Sequence, residues 1–160
     1  MSDTRRIAAF GGVAALAVVL DQVSKAWART ALAGGPASLV PGVLDLSLVM
    51  NTGAAFSIGS GSTWVFVILA LVICAGAAVW VVRERQMPAS VAAALGAVAG
   101  GGMGNLIDRV AARQVTDFFA TTFIDFPVFN VADIFVTCGV VIALVLLWRW
   151  DAEREGGDEA

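Results

Sequence analysis

The chain contains no histidine. That absence removes the H-E-x-x-H zinc site and every serine–histidine dyad, so proton transfer must run on aspartate, lysine or the backbone. Cysteine is scarce as well. Cys74 and Cys138 each sit inside an apolar run with no C-x-x-C pairing. Neither a disulfide nor a metal site is expected of them, and both read as small packing residues. Charge is the third shortage: Lys, Arg, Asp and Glu make up 14% of the chain, against about 25% in a soluble domain. No basic stripe interleaved with aromatics occurs, which leaves nucleic-acid binding without support.

What is present is hydrocarbon. Hydrophobic residues account for 59% of the 160 positions, and the mean hydropathy is +0.84. The composition is that of an all-α integral membrane protein, one domain over 1–160, with four transmembrane helices over about 7–30, 64–82, 90–107 and 131–150. Residues 151–160 read as a loose acidic cytoplasmic tail, which accounts for the net charge of −3. A secretory signal peptide is the rival reading of the start, with Arg5 and Arg6 before Ile7–Leu20 and Ala31-Leu32-Ala33 as cleavage site. Asp21, Lys25 and Arg29 intervene, where a cleavage site follows its apolar run closely.

Lysine and arginine set the direction. The tight turn Arg83-Glu84-Arg85, with Arg5, Arg6, Arg149 and Arg154, marks the cytoplasmic side, so both termini are expected there. Trp27 and Trp64 then lie at the outer interface, and Trp80, Trp148 and Trp150 at the inner one. The third span carries Ala92, Gly96, Gly100 and Gly104, a small-xxx-small stripe for close helix packing. Outside the spans, Val43–Met50 alternates Leu44, Leu46, Leu48 and Met50 with Asp45, Ser47 and Val49, which predicts a strand on the outer surface. Ala111–Phe129, with Phe118, Phe119, Phe123, Phe126 and Phe129, suggests an interfacial flap or a lipid-facing surface.

Most polar residues fall at span ends that an alternating path delivers to one face. These are Asp21, Gln22 and Lys25 after the first apolar run, and Asn51 before the second span. Asn105, Asp108, Arg109 and Asp117 follow around the end of the third, and Asn130 and Asp133 open the fourth. Ionisable groups in a membrane are costly, so their collection in one place suggests a site. Two nearby carboxylates such as Asp117 and Asp133 share a proton: one draws a proton from water and the other donates to a peptide carbonyl. Plainer readings stand beside this one. Asn130 and Asp133 fit a helix capping box, and Asp117 reads as a solvated loop acid. Asp21 and Lys25, at i and i+4, read as a salt bridge that braces the site. No G-x-G-D stretch is present, Gly102-Met103-Gly104-Asn105 being the nearest approach, which weakens a presenilin-like reading.

Five short blocks, in order, resemble the lipoprotein signal peptidases (signal peptidase II) from about Arg6 to Trp150. They are Asp21-Gln22-Val23-Ser24-Lys25, Asn51-Thr52-Gly53-Ala54-Ala55-Phe56, Gly104-Asn105-Leu106-Ile107-Asp108-Arg109, Val115-Thr116-Asp117-Phe118 and Phe129-Asn130-Val131-Ala132-Asp133. The resemblance implies an aspartic endopeptidase of the bacterial inner membrane that removes signal peptides from prolipoproteins, cutting before the diacylglyceryl-modified cysteine. It implies Asp117 and Asp133 as catalytic dyad. Asn51, Gly53, Gly104, Asn105, Asp108, Arg109 and Asn130 would line or support the site, and Asp21 and Lys25 would brace it. A periplasmic β-cradle, a short periplasmic helix or flap in the Phe-rich stretch, membrane lipids as partners, inhibition by globomycin, a monomer, and no metal or cofactor are further expectations. The compact segment between Asp117 and Phe129 departs from the family pattern and leaves the detail of the flap open. From another class, the alternative is a small proton-coupled transporter subunit. Such a protein would put its acids near mid-membrane in broken helices, whereas here they sit at span ends.

Overall fold

The computed structural model describes residues 3–53 and 63–158. Asn51 and Gly53 fall inside that range, whereas the Ala54-Ala55-Phe56 part of their block lies outside it. Among the described residues, four helices are long and apolar enough to cross a membrane: α1 Asp3–Ala31, α2 Thr63–Arg83, α3 Ala89–Ala112 and α4 Val131–Asp158. Three strands, β1 Ala37–Val40, β2 Leu44–Asn51 and β3 Val115–Thr121, form an antiparallel sheet in that order.

α3 is the central helix, and its glycines explain why. A methyl group at Gly96 would strike the Phe10 carbonyl of α1, and one at Gly100 would strike Ala14 and Ala17. One position on, about 100° around the helix, Gly101 lies against Ala132 and Val136 of α4, and Gly102 faces Cys74 of α2. Successive glycines thus admit three different neighbours. The expected stripe is therefore the α1 contact, and it ends at Gly104, where an added methyl would meet the Asp21 carboxylate. Backbone approach of this kind gains dispersion contacts where lipid supplies no hydrophobic driving force.

The chain leaves α3 abruptly. Arg113 takes the left-handed conformation (φ 60°), and its N–H caps the Arg109 carbonyl at 3.0 Å. The following residues run back as β3 beside β2, where a helix or flap was expected. Three of the five phenylalanines join the sheet side of the fold: Phe118 is buried, and Phe119 and Phe129 are half-buried. Rings 118 and 119 pack at 4.5 Å and rings 119 and 129 at 5.5 Å. Phe123 and Phe126 stay exposed in the loop beyond. Aromatic side chains suit a pleated, half-buried surface, which is why this stretch forms a strand. No helix occurs there among the described residues.

β2 lies where its alternation predicted it, with one interruption. Leu46 pairs with Phe119 but Val49 pairs with Asp117, so β2 carries one extra residue between them. A single inserted residue flips every later side chain to the other face. Asn51, paired with Val115, consequently shares the face of Asp117. At the other end of the molecule, α4 continues through the stretch expected to be loose, and Arg154 stacks on the Trp150 ring at 5.1 Å. The Ala, Glu and Arg of that stretch are strong helix formers, which accounts for the difference.

Candidate active site

Asp117 lies on β3 and Asp133 in the first turn of α4, and both line one cavity of about 550 Å³. The sheet register sets the first and a capping box the second. Asn130 caps α4: its Oδ1 accepts the Asp133 N–H at 3.1 Å, and Asp133 Oδ2 accepts the Asn130 N–H at 3.0 Å. The capping reading of Asp133 is thus correct, and it fixes the carboxylate at the cavity wall.

Three carboxamides hold the two acids. Asn51 Nδ2 donates to Asp117 Oδ2 at 3.0 Å and Asn130 Nδ2 to Asp117 Oδ1 at 2.6 Å. Asn105 Nδ2 donates to Asp133 Oδ1 at 2.8 Å. None of these amides is free to flip, because each oxygen already faces a group that can only donate. Asn51 Oδ1 accepts the Gly53 N–H (2.9 Å), Asn130 Oδ1 the Asp133 N–H, and Asn105 Oδ1 the Lys25 ammonium (2.8 Å). Asn130 also donates to Asn105 Oδ1 at 3.0 Å, which ties the two halves together.

Beneath lies a buried ionic layer. Lys25, fully buried, pairs with Asp21 at 2.8 Å and Asp108 at 3.2 Å. Asp21 Oδ1 accepts the Ala132 N–H (3.0 Å), one of the donors at the start of α4 that have no partner within the helix. Asp108 Oδ2 accepts the Thr116 N–H (3.1 Å), one residue from Asp117. Gln22 donates to Asp21, Asp108 and the Gly104 carbonyl. A lysine between two carboxylates, each also bonded to backbone, is the arrangement that makes buried charge tolerable. Each acid of this layer thus fixes a chain segment that carries a cavity aspartate.

Arg109 lines the cavity, donates to the Gly53 carbonyl at 2.9 Å and stacks over Phe66 at 5.2 Å. Burial pushes the Asp117 carboxyl up to about 6; the Asn51 hydrogen bond opposes this, the charge of Asp133 adds to it, and the Asn130 bond opposes it. A carboxyl raised in this way by desolvation and a like charge suits proton sharing with its neighbour.

All the polar residues expected at the site are thus brought together: Asp117, Asp133, Asn51, Asn105 and Arg109 line the cavity, Asn130 bridges the acids, and Asp21, Lys25, Asp108, Gly104 and Gly53 support them. Sequence reading gave Phe126 and Phe129 to a flap or lipid-facing surface and missed that they wall the cavity, together with Ile134 and Thr137. It also missed Thr116, whose hydroxyl takes a hydrogen bond from Arg29 at 2.9 Å. The packing role expected of Cys138 is incorrect. Gly139, its neighbour, is the residue turned to α3, so Cys138 is exposed and lines the cavity. Cys74 is buried as expected.

Membrane-length helices whose ends present two carboxylates to one cavity define the class: a membrane-embedded aspartic peptidase. The family model for signal peptidase (SPase) II matches residues 13–149, and the chain belongs to that family. A lipoprotein signal peptidase of Parasynechococcus marenigrum is 44% identical over 138 residues, 86% of this chain and 87% of that protein. One of Streptococcus pyogenes serotype M1 is 36% identical over 135 residues, 84% and 89% of the two chains. A solved bacterial membrane enzyme superposes with a TM-score of 0.80 at 31% identity, over 86% of this chain and 85% of the other. These matches set the transporter alternative aside.

Proposed function

We propose that this enzyme removes signal peptides from bacterial prolipoproteins, with Asp117 and Asp133 as its catalytic dyad. The observation that carries this reading is the pair of acids facing one cavity within a frame of donor-locked amides. One carboxyl is protonated and the other ionised. The ionised one takes a proton from water as the oxygen attacks the scissile carbonyl, and the protonated one donates to the carbonyl oxygen. The tetrahedral diol then collapses: one diol hydroxyl gives its proton to the ionised carboxyl as the carbonyl re-forms, the other carboxyl protonates the amide nitrogen, the C–N bond breaks, and the dyad again holds a single proton. Arg109, with its guanidinium near both acids, orients substrate backbone through its remaining donors.

The substrate must approach from lipid. The cavity is walled on one side by Ile134, Thr137 and Cys138 of the membrane-spanning α4 and on the other by Phe126. That apolar wall suits a diacylglyceryl-modified cysteine just after the scissile bond. The cavity faces the periplasm and both termini the cytoplasm, as the Arg83-Glu84-Arg85 turn directs. Every group of the frame comes from one chain, so a monomer suffices. Globomycin competes for the same cavity.

Incubation of the purified enzyme with a lipid-modified prolipoprotein tests the reading. The expected products are the free signal peptide and a mature chain whose first residue is the modified cysteine, identified by mass. Cleavage elsewhere, or equal kcat/KM for the unmodified precursor, would count against it.

A further inference from the structure

Far from the catalytic cavity, a second concavity of about 520 Å³ runs along the membrane-spanning surface between α1 and α2, floored by α3. Phe10, Ala14 and Val18 line one wall, and Leu71, Ala75 and Ala78 the other. The groove exists because Gly100 lets α1 sink onto α3 while the alanines of α2 leave the space above unfilled. From Phe10 to Val18 the α1 wall is about 12 Å long, close to one leaflet's share, about 15 Å, of the hydrocarbon thickness. Its lining offers no polar set to hold water, since the one thiol, Cys74, is turned to the Ala99 carbonyl at 3.4 Å. At this depth hydrocarbon is the medium that fills it.

The foot of the groove is cationic. One turn before Phe10 on the same stripe stands Arg6, which donates to the Val82 carbonyl (3.4 Å), one turn beyond Ala78. At this end of the elements that border the groove, Arg5, Arg83 and Arg85 are exposed and Asp3 and Glu84 are the acids, while Asp151, Glu153 and Glu155 belong to α4, which does not line it. Asp3 is shared, 3.3 Å from Arg6 and 4.0 Å from Arg85, and the buried Arg6 Nε has no hydrogen-bond partner. Four arginines against two acids leave the ends of α1 and α2 and the turn after α2 short of negative charge.

An apolar slot one leaflet deep, ending in an under-neutralised arginine rim, has the chemistry of one ligand. We propose that an anionic phospholipid of the leaflet opposite the catalytic cavity resides here, one acyl chain in the groove and its phosphate at the arginines. The lipid fills the space between α1 and α2 and so braces α2 against the bundle.

Native mass spectrometry of the full chain in mild detergent tests this, with phosphatidylglycerol or phosphatidylethanolamine of identical acyl chains as probes. One phosphatidylglycerol is expected to be retained, about tenfold more tightly than phosphatidylethanolamine. Ala75→Phe fills the slot and should weaken both lipids about tenfold; Ala15→Leu on the opposite wall serves if that variant fails to insert. Arg83→Gln with Arg85→Gln should abolish the preference between lipids. Turnover in lipid-free detergent should match the parent in every variant, since none of these residues touches the dyad. Equal retention of the two lipids by the parent would overturn the proposal, as would undiminished retention in both slot-filling variants. A double-mass species lost on Ala75→Phe would also overturn it, by showing that a second copy occupies the groove.

Discussion

Asn51 shows how a single side chain sets the chemistry of another. Its Nδ2 hydrogen bond favours the ionised form of Asp117, against the burial that pushes that carboxyl up to about 6. Loss of the bond leaves burial less opposed. Asn51→Ala should therefore move the alkaline limb of the kcat/KM profile to higher pH, by about tenfold in proton concentration. A limb that stays in place would show that Asn51 does not tune the pair. The sign for stability follows from the same group. Folded Asp117 holds its proton more tightly than the unfolded chain does, so its contribution falls as pH rises from 3.8 to about 6 and is constant above. Residue identity at the site was legible because the candidates are polar groups in an otherwise apolar chain, where few positions compete. The wall was not legible: Cys138 and Thr137 sit in an apolar run, and their exposure depends on the rotation of α4, which Gly139 sets by facing α3.

At the scale of elements, the apolar length of α1 meets α3 at Gly96 and Gly100 by backbone contact rather than by interdigitated side chains. Gly96 lies so close to the Phe10 carbonyl that any side chain forces the helices apart, whereas Gly76 on α2 has open space. Gly96→Val should lower the thermal midpoint in detergent by about 5–10 °C. Gly76→Val should leave it near the parent value, and an equal fall in both would contradict this account of the packing. Hydropathy made the four helices legible, since each contains a long apolar run. The sheet was only partly so. β2 carries a period of two, but β1 has four exposed residues and no alternation of burial. β3 was obscured by consecutive aromatics, and the bulge in β2 shifts register without any local sequence signal. That bulge nonetheless decides whether Asn51 reaches Asp117.

For the whole molecule, the buried layer of Asp21, Lys25 and Asp108 joins α1 and α3 and reaches the backbone at the starts of β3 and α4. The two acids of the cavity come from those last elements, so their separation is set by the bundle and not by a loop. Orientation belongs to this scale too. With Cys138 replaced by Ala, an Ala37→Cys variant on β1 should react with an impermeant maleimide from outside intact cells. Arg85→Cys should react only after lysis. The reverse pattern would place the cavity on the cytoplasmic side.

Catalysis by a dyad requires Asp117 and Asp133 to act as one unit. Purified Asp117→Asn, Asp133→Asn and the double variant, assayed on lipid-modified precursor beside the parent, test it directly. Each single change should cost about 10³-fold or more in turnover, the double should be no worse than the singles, and thermal midpoints should stay near the parent's. Either single variant retaining turnover within about tenfold of the parent would contradict the dyad.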